Sequence, residues 1–217
     1  TVNYLYYKSA ANRIKKHFPN AKLIVCLRNP IERAYSNYTY EKARGMISQE
    51  INFEDALKKF DRYVNLGLYS KGLKYYLSLF PKKNILVLIY EDIEKDPEKF
   101  LKKIYNFLEI DEAFTAPSVN RKVNYTSRYI FNNYKIESTA KNILSFSAKH
   151  PFLTKIVKKI QLNKLFFHIR NSNKKKGDEQ SKKPTMKKES REYLKRMFQQ
   201  DIRELEQIIN KPLDFWK

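Results

Sequence analysis

Five consecutive apolar residues, Leu23 to Leu27, stand between Lys22 and Arg28, and Asn29-Pro30 follows at once. A run this short and apolar reads as a strand buried on both faces, the kind found in parallel sheets. Asn29 can cap a helix, and Pro30 suits its first position, where no N–H is needed. Arg28 therefore stands where a strand ends and a helix begins, and in open α/β sheets ligands bind outside that edge. At 3.6 residues per turn, Asn29, Arg33, Ser36 and Tyr40 share one helix face. A guanidinium at the strand end and a hydroxyl along the helix can converge on one phosphate.

The rest of the chain supplies the partners such a corner needs. Asn84 to Tyr90 is a second apolar strand, ending in Glu91-Asp92, where a carboxylate is a candidate general base. A lead-in and short helix occupy residues 1–21, with Ala10, Ala11, Ile14 and Phe18 at helical spacing. The helix from Pro30 runs to about Arg44, with Gly45 just past its end. Asn52 caps the next helix, with Asp55 three residues on and Phe53, Ala56, Leu57, Phe60 and Val64 as its apolar stripe. Beyond Gly67, Leu73, Tyr76, Leu77 and Phe80 recur before Pro81. Asp96-Pro97-Glu98 starts another helix, with an acid at the positive end of its dipole. Phe100, Leu101, Ile104, Phe107 and Leu108 form its apolar side. Thr185 to Asn210 reads as one long helix whose stripe is Tyr193, Leu194, Met197, Phe198, Ile202, Leu205, Ile208 and Ile209. Strand, three helices, strand, helix implies long right-handed crossovers and a parallel sheet.

At 217 residues, with 42% hydrophobic content, the chain suffices for a single α/β domain. Its net charge of +21 calls for an anionic partner: a nucleotide, an acidic glycan, nucleic acid or a membrane surface. Its one cysteine, Cys26, lies in the first strand, so neither a disulfide framework nor a zinc site can be built within the chain. His150 and His168 have no partner at metal-ligand spacing. No apolar run approaches the roughly 20 residues of a membrane span, and no signal peptide is visible, so a cytoplasmic location is expected. Residues 138–170 interleave apolar residues with lysines and read as a basic helical flap, also compatible with peripheral contact to an anionic membrane. Residues 171–184 are poor in apolar residues and read as a mobile loop.

The run Leu27-Arg28-Asn29-Pro30-x-x-Arg33-Ala34-Tyr35-Ser36-x-Tyr38 resembles the 3′-phosphate-binding segment of sulfotransferases. These enzymes take a sulfuryl group from 3′-phosphoadenosine 5′-phosphosulfate (PAPS). The likeness is to the branch that sulfates carbohydrates, including the heparan sulfate enzymes and bacterial relatives, and it extends from about Tyr4 to Trp216, weakening between Ser138 and Pro184. It implies a P-loop-like fold with a parallel sheet flanked by helices. It also implies that Arg28 and Ser36 hold the 3′-phosphate. A basic loop at this order in the family folds over the nucleotide, and here Arg128 (with Asn124) competes with the pair Arg121-Lys122 for that role. Leu66-Gly67-Leu68-Tyr69 matches a Gly-x-Tyr beside the family's acceptor site, and Tyr4 lies where a Ser-Pro-x-Tyr segment borders it. The family's Glu-Asp at the second strand end is architectural, which is the role expected of Glu91.

The Pro-Lys-x-Gly-Thr loop that cradles the 5′-phosphosulfate in the family is absent from these 217 residues. The expectation is of an N-terminally truncated domain whose catalytic base and phosphosulfate lysine map upstream of Thr1. The acceptor implied is a carbohydrate hydroxyl or amine, the product adenosine 3′,5′-bisphosphate, and no metal is involved. Two rivals stay open, a basic nucleic-acid- or polyanion-binding module and another nucleotide-dependent transferase. No helix-turn-helix, zinc or RNA-binding signature supports the first, and no phosphate loop supports the second.

Overall fold

The computed structural model describes residues 3–111, 114, 129–131, 146, 174–176 and 185–216. They fall into two compact units. The first holds residues 3–35, 57–111, 114 and 186–216, and the second residues 36–56, 129–131, 146, 174–176 and 185.

The first unit opens with helices α1 (Asn3–Tyr6) and α2 (Lys8–His17), followed by strand β1 (Leu23–Leu27) and the start of helix α3 (Pro30–Ala43). It resumes with the end of α4 (Phe53–Lys59), then α5 (Arg62–Asn65), α6 (Ser70–Leu79), β2 (Ile85–Ile89), α7 (Glu91–Lys95) and α8 (Pro97–Leu108). Helix α9 (Lys188–Ile209) and a 3₁₀ turn, Asp214–Trp216, complete it. β1 and β2 pair in parallel, in register from Leu23↔Ile85 to Leu27↔Ile89. The parallel α/β arrangement is as the order of elements implies.

Burial along the two strands is uneven. Leu27, Leu88 and Ile89 are buried, whereas Ile24 is 42% exposed. Expected burial on both faces is thus met only at the C-terminal ends of the strands, the ends from which Arg28 and Glu91 follow. Cap chemistry is as the sequence implies at Asp96, whose carboxylate accepts from the Lys99 N–H at 2.9 Å. Phe18 differs: it sits past the end of α2 and is 67% exposed, outside the stripe assigned to it. The single helix expected over Phe53 to Val64 is two, α4 and α5, broken at Phe60-Asp61.

Helix α9 packs against α6. It buries Ser190, Leu194, Phe198, Asp201, Ile202 and Leu205, narrower than the stripe read from sequence, because Tyr193 and Met197 stand about 100° round the helix and are exposed. Each apolar side chain fully buried there contributes about 1.5–3 kcal/mol.

In the second unit, the C-terminal half of α3 and the chain up to α4 fold on each other. The Tyr38 hydroxyl donates to the Ile51 carbonyl at 2.9 Å, and its ring lies 5.2 Å from that of Phe53. Gly45 follows α3 with φ 60°, left-handed as glycine allows. Asn52 caps α4, its side chain accepting from the Asp55 N–H at 2.8 Å. Strand β3 (Tyr129–Phe131) pairs antiparallel with β4 (Lys174–Lys176). The lysine run expected in a loop is therefore strand, since ladder hydrogen bonds are made by backbone and no apolar alternation announces them. The flap expected over 138–170 lies outside the described residues except at Phe146.

Candidate functional site

Arg28 is the first residue past β1, and the in-register pairing brings it beside Tyr90, the first past β2. The Tyr90 N–H donates to the Leu27 carbonyl at 2.7 Å, the last backbone bond joining the strands. The Arg28 guanidinium lies 5.0 Å from the Tyr90 ring centroid, a cation–π distance. Among the described residues no carboxylate or other acceptor bonds that guanidinium, and the side chain is only half-buried. A cation held on an aromatic face with its donors unused is suited to a phosphate or sulfate.

The corner after it is firmly built. Asn29 is buried, and its side chain accepts from the Ile31 N–H at 3.0 Å and the Glu32 N–H at 3.5 Å, capping α3 as expected. Glu91 is the architectural residue anticipated. One carboxylate oxygen accepts from the Asn29 N–H at 2.8 Å and the other from the Trp216 indole N–H at 3.2 Å. Arg33, although in the same motif, turns its guanidinium to the Tyr63 carbonyl. Glu32 pairs with Arg191 of α9 at 2.5 Å.

Tyr69 is buried to 1% exposure, packed 6.3 Å from the Trp216 ring, and its hydroxyl donates to the Arg28 carbonyl at 3.0 Å. Burial pushes its ionisation well above the ordinary tyrosine range, against the opposing charge of Arg33. It is a member of the core that touches Arg28, not a surface residue. Gly67, two residues earlier, is explained by packing: a Cβ there would meet Phe198 Cε1 at 2.7 Å and Pro30 Cβ at 3.0 Å. Gly67→Ala is expected to destabilise by about 1–3 kcal/mol, the scale of overpacking, since Phe198 and Pro30 are both buried. Urea denaturation measures it.

Tyr4, the other acceptor-side candidate, is 57% exposed on α1 while its carbonyl accepts from the Tyr76 hydroxyl at 3.0 Å. It borders an apolar cavity of about 140 Å³ with Ile14, Ile24, Val25 and Tyr76 among its walls. Ser36, in the second unit, is half-buried on α3, its carbonyl accepting from the Thr39 hydroxyl at 3.0 Å. Arg121, Lys122 and Arg128 lie outside the described residues. Cys26 is half-buried with its thiol raised to about 11 by burial and by the charges of Glu91 and Asp92, which keeps it protonated.

Two residues of this corner had no role in the sequence reading. Tyr90 was legible in principle, since parallel strands in register set the residues after Leu27 and Ile89 side by side. For Asp201, nothing local names its partners. It lies on the buried face of α9 and accepts from the Tyr69 N–H at 2.7 Å, the Ser70 N–H at 3.0 Å and the Ser70 hydroxyl at 2.6 Å. Burial raises its pKa against those hydrogen bonds. Among the described residues no cluster of three or more His, Cys, Asp or Glu could hold a metal, and no helix is long and apolar enough to cross a membrane.

The model of the sulfotransferase domain family matches residues 7–206. The chain belongs to this family. Heparan sulfate glucosamine 3-O-sulfotransferase 6 of Homo sapiens is 32% identical over 121 residues, covering 53% of this chain and 35% of that protein. Carbohydrate sulfotransferase 15 of Homo sapiens is 30% identical over 116 residues, 42% of this chain and 21% of that one. Sulfotransferase 2A6 of Mus musculus is 33% identical over 122 residues, 49% of this chain and 42% of that one. The matched stretch is thus less than half the length of each of these curated relatives. A solved sulfotransferase from Alicyclobacillus acidocaldarius aligns over 98% of this chain and 64% of its own, with a TM-score of 0.63 at 22% identity. The fold is accordingly the α/β, P-loop-like sulfotransferase fold, and the strand–corner–helix around Arg28 is part of it.

Proposed function

We propose that this sulfotransferase chain takes PAPS as donor and transfers its sulfuryl group to a hydroxyl or amine of a carbohydrate. The observation that carries the donor half is the Arg28 guanidinium, seated on Tyr90 at 5.0 Å with no protein acceptor among the described residues. A 3′-phosphate fits those unused donors, and Ser36 is the residue that matches the family's serine. The loop candidates Arg128, Arg121 and Lys122 would add cations to the same phosphate. Heparan sulfate and carbohydrate enzymes among the relatives support a glycan acceptor, and the net charge of +21 suits an acidic one. Tyr4 and Tyr69 are matched to the acceptor side by sequence alone, and the hydroxyl of Tyr69 leads to Arg28 instead.

When bound, the donor supplies the sulfuryl group: the acceptor oxygen or nitrogen bonds to sulfur as the bond from sulfur to the bridging phosphate oxygen breaks. The acceptor's proton passes to a base, and adenosine 3′,5′-bisphosphate leaves. Such transfers depend on placement and on stabilising developing charge. Arg28 contributes placement, by binding a phosphate that does not itself react. No residue is assigned as the base.

Thermal denaturation with nucleotides tests the reading. Adenosine 3′,5′-bisphosphate at a hundred times its Kd contributes about 2.7 kcal/mol, raising Tm by roughly 5–10 °C for a domain of this size. ATP or an oligonucleotide should give distinctly less. Equal or greater stabilisation by either would favour another nucleotide enzyme or a polyanion-binding module.

A further inference from the structure

The Arg28 carbonyl and the Asn29 N–H are the two polar ends of a single peptide plane, and each end is held by a side chain. The carbonyl accepts from the Tyr69 hydroxyl at 3.0 Å, and the N–H donates to Glu91 at 2.8 Å. This peptide lies just past the last ladder bond of β1, so strand pairing does not orient it. Both holds lead into the C-terminal segment. Tyr69 is fixed through its own N–H by Asp201 of α9, and Glu91 receives the Trp216 indole N–H. A peptide plane is rigid and its orientation sets ψ of the residue before it. The Arg28 carbonyl carbon and Cβ turn together about the N–Cα bond, so a shift of the held plane that moves this carbon re-aims the guanidinium relative to Tyr90.

Resting on the donor assignment above, we propose that Tyr69, with Asp201 behind it and Glu91 at the opposite end, is a positioning residue for the 3′-phosphate. The C-terminal helix, which supplies Asp201, then belongs to donor recognition without touching the donor. Asp201 suits the task because its carboxylate is buried and accepts from two adjacent backbone N–H groups at the start of α6 and from the Ser70 hydroxyl. That arrangement locks the backbone of Tyr69, and a two-torsion aromatic side chain carries the constraint to Arg28.

The test compares calorimetric affinities for adenosine 3′,5′-bisphosphate and adenosine 5′-phosphate, which lacks the 3′-phosphate, in wild type, Tyr69→Phe and Glu91→Gln. Tyr69→Phe keeps the ring and deletes one hydroxyl; Glu91→Gln acts on the other end of the same peptide. The expected result is a five- to tenfold drop in the preference for the bisphosphate, the worth of about one hydrogen bond. In Arg28→Ala, the added Tyr69→Phe change should cost nothing further, since residues acting through one another are not additive. If both ligands weaken equally, or the preference is kept in both variants, the positioning role is overturned and the donor assignment stands. If wild type shows no preference for the bisphosphate, the donor assignment falls and the positioning role with it.

Discussion

Arg28→Ala is expected to weaken adenosine 3′,5′-bisphosphate binding by about 2–5 kcal/mol, from roughly thirtyfold to several-thousandfold, with the fold retained. The magnitude is that of removing one member of a hydrogen-bonded charge pair, part of it the cost of leaving the other charge without its partner. The fold should survive because the guanidinium has no structural acceptor among the described residues. Its contact with Tyr90 is an aromatic one, worth about 0.5–1 kcal/mol where solvent reaches it. The loss should fall on the bisphosphate and spare adenosine 5′-phosphate. Arg28→Lys should recover only part of it, since an ammonium keeps the charge but not the planar fork that meets two phosphate oxygens at once. Isothermal titration of the two nucleotides against the three proteins measures this directly.

Trp216→Ala should be the most destabilising single change, costing about 3–5 kcal/mol, the range for removing a large buried aromatic. Trp216 is 1% exposed, its ring lies 6.3 Å from that of Tyr69, and its indole N–H occupies one oxygen of Glu91. Truncation leaves a cavity beside Tyr69 and strips Glu91 of a donor, loosening both supports of the Arg28–Asn29 peptide. Trp216→Phe keeps most of the volume and should cost less, with the remaining deficit traceable to the lost N–H bond. Urea unfolding is the measurement, with an unchanged m-value marking a change in stability rather than in the surface exposed.

The corner that matters was legible because its determinants are local. An apolar run, an arginine, an asparagine cap and a proline lie within eight residues, and each has a definite conformational meaning. The same holds for Asp96-Pro97 and for Asn52 with Asp55, where the cap and its target lie three residues apart. Asp201 escaped for the opposite reason. Its partners are 131 and 132 residues away, and a carboxylate within an amphipathic helix reads as solvent-facing unless its donors are known. Tyr193 and Met197 were over-read because apolar residues flanking a stripe look like members of it, although a rotation of 100° turns them outward. The break between α4 and α5 carries no glycine or proline, so the sequence offered no stop there. Tyr69 illustrates a third case: its family match points to the acceptor, while its burial and hydroxyl partner tie it to the Arg28 corner.

A crystal structure of the chain grown with adenosine 3′,5′-bisphosphate shows whether the Arg28 guanidinium anchors a ribose-borne phosphate. The expected result has the 3′-phosphate oxygens within hydrogen-bond distance of that guanidinium, with the Arg28–Asn29 peptide still held between Tyr69 and Glu91. Nucleotide bound elsewhere, with Arg28 resting on Tyr90 and contacting no phosphate, would contradict it.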